Sequence, residues 1–183
     1  MMIYALAFIL LSIPIFIISW KSLKTKKSHG FYRFFSWECI LILLIFRIRF
    51  WFTNPFSFQQ IISWILLITS VWFVLAGIIS LKKKGRQKNI RNEENLFAFE
   101  KTSELVQTGI YKYIRHPLYS SLLLLSLGTY LKKPDLILLP VVILSIVFLY
   151  LTARADEKEC VNYFGEEYRM YMKESKRFIP FLF

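Results

Sequence analysis

The stretch that decides the fold is residues 117–153, PLYSSLLLLSLGTYLKKPDLILLPVVILSIVFLYLTA, which reads as two apolar arms around the four residues KKPD. An apolar arm of 15 residues, 117–131, spans about 22 Å at 1.5 Å per residue, and 136–153 about 27 Å. That pattern predicts a helical hairpin in a bilayer, its first arm tilted or starting below the surface. Arg115 and His116 stand immediately before the first arm, and Arg154, Asp156 and Glu157 immediately after the second. A short turn folds both arms back, so the two charged clusters are expected side by side on one surface.

Working outward, the rest of the chain agrees with a membrane reading. Hydrophobic residues make up 56% of the 183 and aromatics 18%, more than one soluble core of this size can hide. Residues 1–20 carry no charge and form a first expected span. The lysines follow it, at Lys21, Lys24, Lys26 and Lys27, so it does not read as a cleaved signal peptide. Residues 34–52 form a second expected span with Glu38, Arg47 and Arg49 near its ends, and 56–81 a third without charge. The expectation is an all-α membrane protein: one domain of five membrane segments, with a mixed-charge cytosolic segment at 82–116 and a cytosolic tail with a helix from 154.

The net charge of +12 would suit nucleic acid, but the basic residues lie between apolar runs, where they meet lipid headgroups instead. Of 24 Lys and Arg, 20 fall in segments 21–33, 82–115 and 154–183. Arg47, Arg49, Lys132 and Lys133 flank the two opposite loops. Five spans then place the N-terminus outside and the C-terminus in the cytoplasm. A bacterial or archaeal inner membrane is expected over the endoplasmic reticulum. Two separated cysteines and two isolated histidines show no disulfide framework and no metal cluster, so an organic cofactor is expected.

The candidate chemistry sits at the two charged clusters. Proline disfavours the helical conformation for its predecessor and suits the first helical position, so His116 should leave the helix and Pro117 should begin it. A helix start beside Arg115 favours an anionic group such as a carboxylate, which makes Arg115 a candidate cofactor-binding residue. Tyr111 and Tyr119 offer faces for a base or a sulfonium cation. At helical spacing Glu157, Val161, Phe164, Tyr168 and Tyr171 share one side, with Glu157 as the polar head of the stripe and Arg154 one turn before it. Taken alone, Arg-His-Pro at a helix start is more often an interfacial anchor and DEKE usually a solvated face; it is their meeting across the hairpin that suggests a site.

The set ELVQTGIYKYIRHPLY, Arg-x-Asp-Glu at 154–157, FGEEYRMY and the closing RFIPF resembles the isoprenylcysteine carboxyl methyltransferase and phospholipid methyltransferase group of membrane enzymes, over residues 103–181. The resemblance implies S-adenosylmethionine at the cytosolic face and a lipidic or lipidated substrate entering from the bilayer, without metal or nucleic acid. It implies that Leu105, Val106 and Tyr111 line the cofactor pocket and that His116, Pro117, Leu118 and Tyr119 bind the cofactor. It further implies that Asp156 and Glu157 hold the cofactor's charged end and that Arg154 faces the substrate. Arg154, Glu157 and His116 are the expected catalytic residues; an amine acceptor must lose a proton, and no obvious base stands out beyond His116. The chain departs from the family in having Asp156 where a glutamate is usual. Two other readings compete: an NADPH-dependent membrane reductase of sterol-reductase-like architecture, and a nonenzymatic membrane scaffold.

Overall fold

The computed structural model describes residues 2–84 and 104–180. The mixed-charge segment expected between the third and fourth spans lies mostly outside them, as do residues 181–183 at the end of the closing motif. All regular elements among the described residues are helical: α1 (Met2–Lys24), α2 (His29–Arg47), α3 (Phe58–Lys84), α4 (Pro117–Tyr130), α5 (Leu139–Phe164) and α6 (Glu166–Glu174).

Three helices, Met2–Lys24, Phe58–Lys82 and Leu139–Phe164, are long and apolar enough to cross a membrane. The protein is therefore an all-α membrane protein. Of the other two expected spans, α4 has only 14 residues, and α2 carries Arg33, Glu38 and Arg47 among its 19. α1 leaves most of its apolar side chains exposed, as a lipid-facing helix must, and packs along α2.

The boundaries of α2 and α5 differ from those the hydropathy predicts, each for a local reason. α2 starts at His29 rather than at residue 34, because the Ser28 hydroxyl accepts from the Phe31 amide at 3.1 Å and caps it. The shift moves Glu38 from a span end into the helix interior, where Ser12 Oγ of α1 donates to it at 2.7 Å. α5 starts at Leu139, after Asp135 Oδ1 accepts from the Leu138 amide at 2.8 Å. It then runs unbroken past residue 153 to Phe164, because nothing interrupts the pattern until Gly165, whose φ of 64° suits glycine. Residues 154–164, expected as part of a separate tail, are thus the last turns of α5.

Contacts at the helix ends divide the loops between two faces. On one, Arg47 Nη2 meets Asp135 Oδ2 at 2.5 Å, and Gln60 Nε2 donates to the carbonyls of Phe50 (3.1 Å) and Lys132 (3.0 Å). Lys132, expected as a turn residue at the interface, is 2% exposed and lies 3.5 Å from the centre of the Trp64 ring. On the other face, His29 at the start of α2 meets Glu159 near the end of α5. Serines let the helices between these faces approach closely: Ser63 Oγ donates to the Gly128 carbonyl at 2.7 Å, Ser70 Oγ to that of Ser121 at 2.8 Å, and the Ser126 and Ser145 hydroxyls are 2.5 Å apart.

Candidate active site

The site forms where the chain before α4 meets the end of α5. Gly109, with φ 64°, opens a short 3-10 helix Gly109–Lys112; a side chain there would come within 2.6 Å of Ser80 Oγ on α3, so the glycine lets the loop lie against that helix. Pro117 is the first residue of α4, and His116 before it adopts φ −124° and ψ 61°, outside the helical region as its position before proline requires. The backbone amides of Arg115 and His116 are not left open: they donate to the carbonyls of Lys176 (2.7 Å) and Arg177 (3.2 Å). Lys176 returns a bond to Tyr113 O at 3.0 Å, and Ser120 Oγ donates to Phe178 O at 2.8 Å. The C-terminal segment is thereby fastened along residues 113–120.

Arg115 is turned inward rather than toward lipid headgroups. Its side chain is 7% exposed; Nε donates to Glu157 Oε1 at 2.9 Å, and Nη1 donates to the carbonyls of Met172 (3.2 Å) and Ser175. Glu157, itself buried, also accepts from Arg177 Nε at 3.0 Å and Nη2 at 2.8 Å. One carboxylate thus joins two guanidinium groups and ties α5 to both flanking segments, an arrangement whose hydrogen bonds are charge-assisted.

Beside this knot lies a cavity enclosing roughly 690 Å³ of empty space including its open mouth. The segment before and into α4 lines it with Leu105, Val106, Tyr111, Arg115, His116, Pro117, Leu118 and Tyr119. α5 contributes Asp156, Cys160 and Phe164, α6 contributes Tyr168 and Tyr171, and α3 contributes Leu81. Tyr171 Oη donates to Tyr111 O at 2.6 Å and closes the aromatic wall. Burial pushes the phenols of Tyr168 and Tyr171 well above the usual tyrosine range, so both present neutral rings.

Nine of the residues expected at the site therefore line one cavity, and Glu157 stands behind them in the arginine knot. Arg154 is exposed on α5 and is not among the lining residues. The guanidinium that reaches Glu157 from the C-terminal side is that of Arg177, within the closing RFIPF. Phe164, Tyr168 and Tyr171 belong to the stripe visible at helical spacing, whereas Leu81 and Cys160 have no signal in the sequence.

Asp156 and Glu157 hold His116 between them. Nδ1 is 3.4 Å from Asp156 Oδ2, Nε2 is 3.4 Å from Glu157 Oε1 without hydrogen-bond alignment, and the ring stacks on Tyr119 with centroids 5.3 Å apart. Burial alone would lower the imidazole's pKa, but the two carboxylates outweigh it and hold it above the ordinary histidine value. His29, at the start of α2, is raised too: burial lowers it, but Glu159 and Asp156 together outweigh that. A raised folded-state pKa stabilises the fold below the unfolded value of about 6.5, and that contribution is lost as pH rises through the folded value. The melting temperature in detergent is expected to fall as pH climbs above about 6.5, and His116→Gln to flatten part of that slope; a slope unaltered by the substitution would contradict the geometry.

The description of phospholipid methyltransferases as a family matches residues 58–167, from the start of α3 into α6, and so takes in the hairpin and most of the cavity wall. No curated protein and no solved structure matches the chain. With a family match covering well over half of its 183 residues, and centred on the helices that build the cavity, the chain belongs to the phospholipid methyltransferase family of membrane enzymes.

Proposed function

We propose that the protein transfers the methyl group of S-adenosylmethionine to a lipidic or hydrophobic acceptor, with the donor held in the cavity between the start of α4 and the end of α5. The observation that carries this reading is the cavity's combination of aromatic walls with one carboxylate. A sulfonium donor is a cation with a flat base at one end. Rings of Tyr111, Tyr119, Phe164, Tyr168 and Tyr171 suit both parts, and Asp156 supplies the countercharge. Once bound, the donor would supply an electrophilic methyl: the acceptor's lone pair would form the new bond to carbon as the sulfur–carbon pair returns to sulfur, giving the uncharged thioether of S-adenosylhomocysteine. An amine acceptor would first give its proton to water. Such a displacement asks the protein for placement and a cation-tolerant pocket. His116, 3.4 Å from both Asp156 and Glu157, orients the carboxylate that faces the donor. Arg154, exposed beside the site, is available to an acceptor's anionic group.

The family favours a phospholipid headgroup as acceptor, and an isoprenylcysteine-like carboxylate fits the same apolar surroundings. Incubating native membranes that contain the protein with methyl-labelled S-adenosylmethionine, then extracting lipid, is expected to place label in a lipid product absent from control membranes. Label confined to the aqueous phase would refute a lipid acceptor. The charge distribution supports a cytoplasmic cavity, with 20 of the 24 basic residues in segments on that side. A reporter fused after Phe183 is accordingly expected in the cytoplasm and one before Met1 on the opposite side; both on one side would contradict an odd number of crossings.

A further inference from the structure

We propose that His29 is a positioning residue for the donor site, acting through Asp156 from a helix that lies outside the family match; this rests on the reading of the cavity as the methyl donor's site. His29 is the first residue of α2 and is wholly buried. Its backbone N–H donates to Glu159 Oε1 at 3.0 Å and its Nδ1 faces Glu159 Oε2 at 2.5 Å, so one carboxylate fixes both the helix start and the ring. Glu159 lies three residues after Asp156, on the same side of α5. A ring nitrogen of His29, an oxygen of Asp156 and one of Glu159 all lie within 4.8 Å of one another.

Asp156 is therefore bounded by an imidazole from each half of the chain. His116 stands 3.4 Å away on the cavity side, and His29 stands on the side of α2. Other charged groups facing His29 are Arg33, which opposes a positive charge on the ring, and Glu159, which favours it. Nε2 of His29 has no hydrogen-bond partner among the described residues, so the bond to Glu159 holds the ring, with Asp156 beside it. The consequence is mechanical and electrostatic. α2 holds the imidazole within 4.8 Å of the carboxylate that faces the cavity, on the side away from His116, and so backs the carboxylate that would meet the donor's cationic end. The pair also ties the two N-terminal helices to the donor-binding half, whose own sequence carries the family pattern.

The test is methyl-label incorporation in native membranes, with endogenous lipid as acceptor and S-adenosylmethionine varied. His29→Ala is expected to raise the apparent KM for S-adenosylmethionine on the order of tenfold while kcat stays within about twofold, since what is lost is donor binding. His29→Asn, whose amide can still donate to Glu159, should recover most of that loss. Glu159→Gln guards against misfolding of the His29 variants; it leaves the ring in place but less firmly held and should raise KM roughly threefold. KM values equal to wild type in the folded variants, or a loss confined to kcat, would overturn the proposal. So would loss of binding on chelation that zinc restores, because the three side chains would then be a metal site. Absence of donor turnover in the wild-type protein would instead refute the methyltransferase reading itself.

Discussion

Replacing Glu157 with alanine is expected to be among the most destabilising single substitutions in the protein. Its carboxylate accepts from Arg115 at 2.9 Å and from Arg177 at 3.0 and 2.8 Å, and stands 3.4 Å from His116. Alanine would leave two guanidinium groups facing each other across a buried space. Breaking a buried pair by removing one partner costs about 3–5 kcal/mol, a large share of the roughly 5–15 kcal/mol that holds a domain together. At a scale of roughly 2–4 °C per kcal/mol for a chain of this size, the melting temperature in detergent should fall by about 6–20 °C. Lys133→Ala on the opposite face, where the ammonium lies over the Phe50 ring, serves as the control and should change it little. A melting temperature for Glu157→Ala equal to that of the control would mean that the arginine knot does not hold the fold. Arg115→Lys tests the same knot from the other side: a point charge cannot reproduce the fork that spans Glu157 and two main-chain carbonyls.

The second large effect separates binding from stability. Asp156→Asn keeps the shape of the side chain that faces the cavity and removes its charge. A lost charge-assisted contact is worth about 1.5–3 kcal/mol, so the dissociation constant for S-adenosylmethionine should rise roughly ten- to hundredfold. S-adenosylhomocysteine lacks the sulfonium charge, and its affinity should fall less. Asp156→Glu keeps the charge and should bind the donor more tightly than Asp156→Asn does. Calorimetry on folded, monodisperse variants reads all three. Equal losses for donor and product would place Asp156 away from the sulfur.

The outcome at these positions shows what hydropathy and spacing can resolve. The hairpin was legible because two apolar arms around KKPD leave few ways to bury the chain, and the charged clusters meet because an antiparallel pair brings its ends together. The start of α2 was not, because a capping serine outweighs where the apolar run begins. α5 outruns its apolar stretch for the converse reason: a helix continues into charged sequence when it can lay those charges against partners, as Glu157 and Glu159 do. Arg115 reads in sequence as an interfacial anchor or a ligand contact, and its buried bonds to Glu157, Met172 and Ser175 make it a structural centre at the cavity's edge. Arg177 and His29 reach the site from 20 and more than 120 residues away in the chain, so spacing could not reveal either. Val161, by contrast, belongs to the apolar stripe in sequence but is not among the cavity residues.

The central claim is that the cavity between α4 and α5 binds a sulfonium methyl donor, and equilibrium dialysis of labelled S-adenosylmethionine against the detergent-purified protein tests it most directly. Saturable binding is expected, displaced by S-adenosylhomocysteine, which keeps the adenosine and amino-acid ends, and unaffected by NADPH. Saturable binding of NADPH, with none of either methionine derivative, would contradict the account and move the protein to the reductase reading.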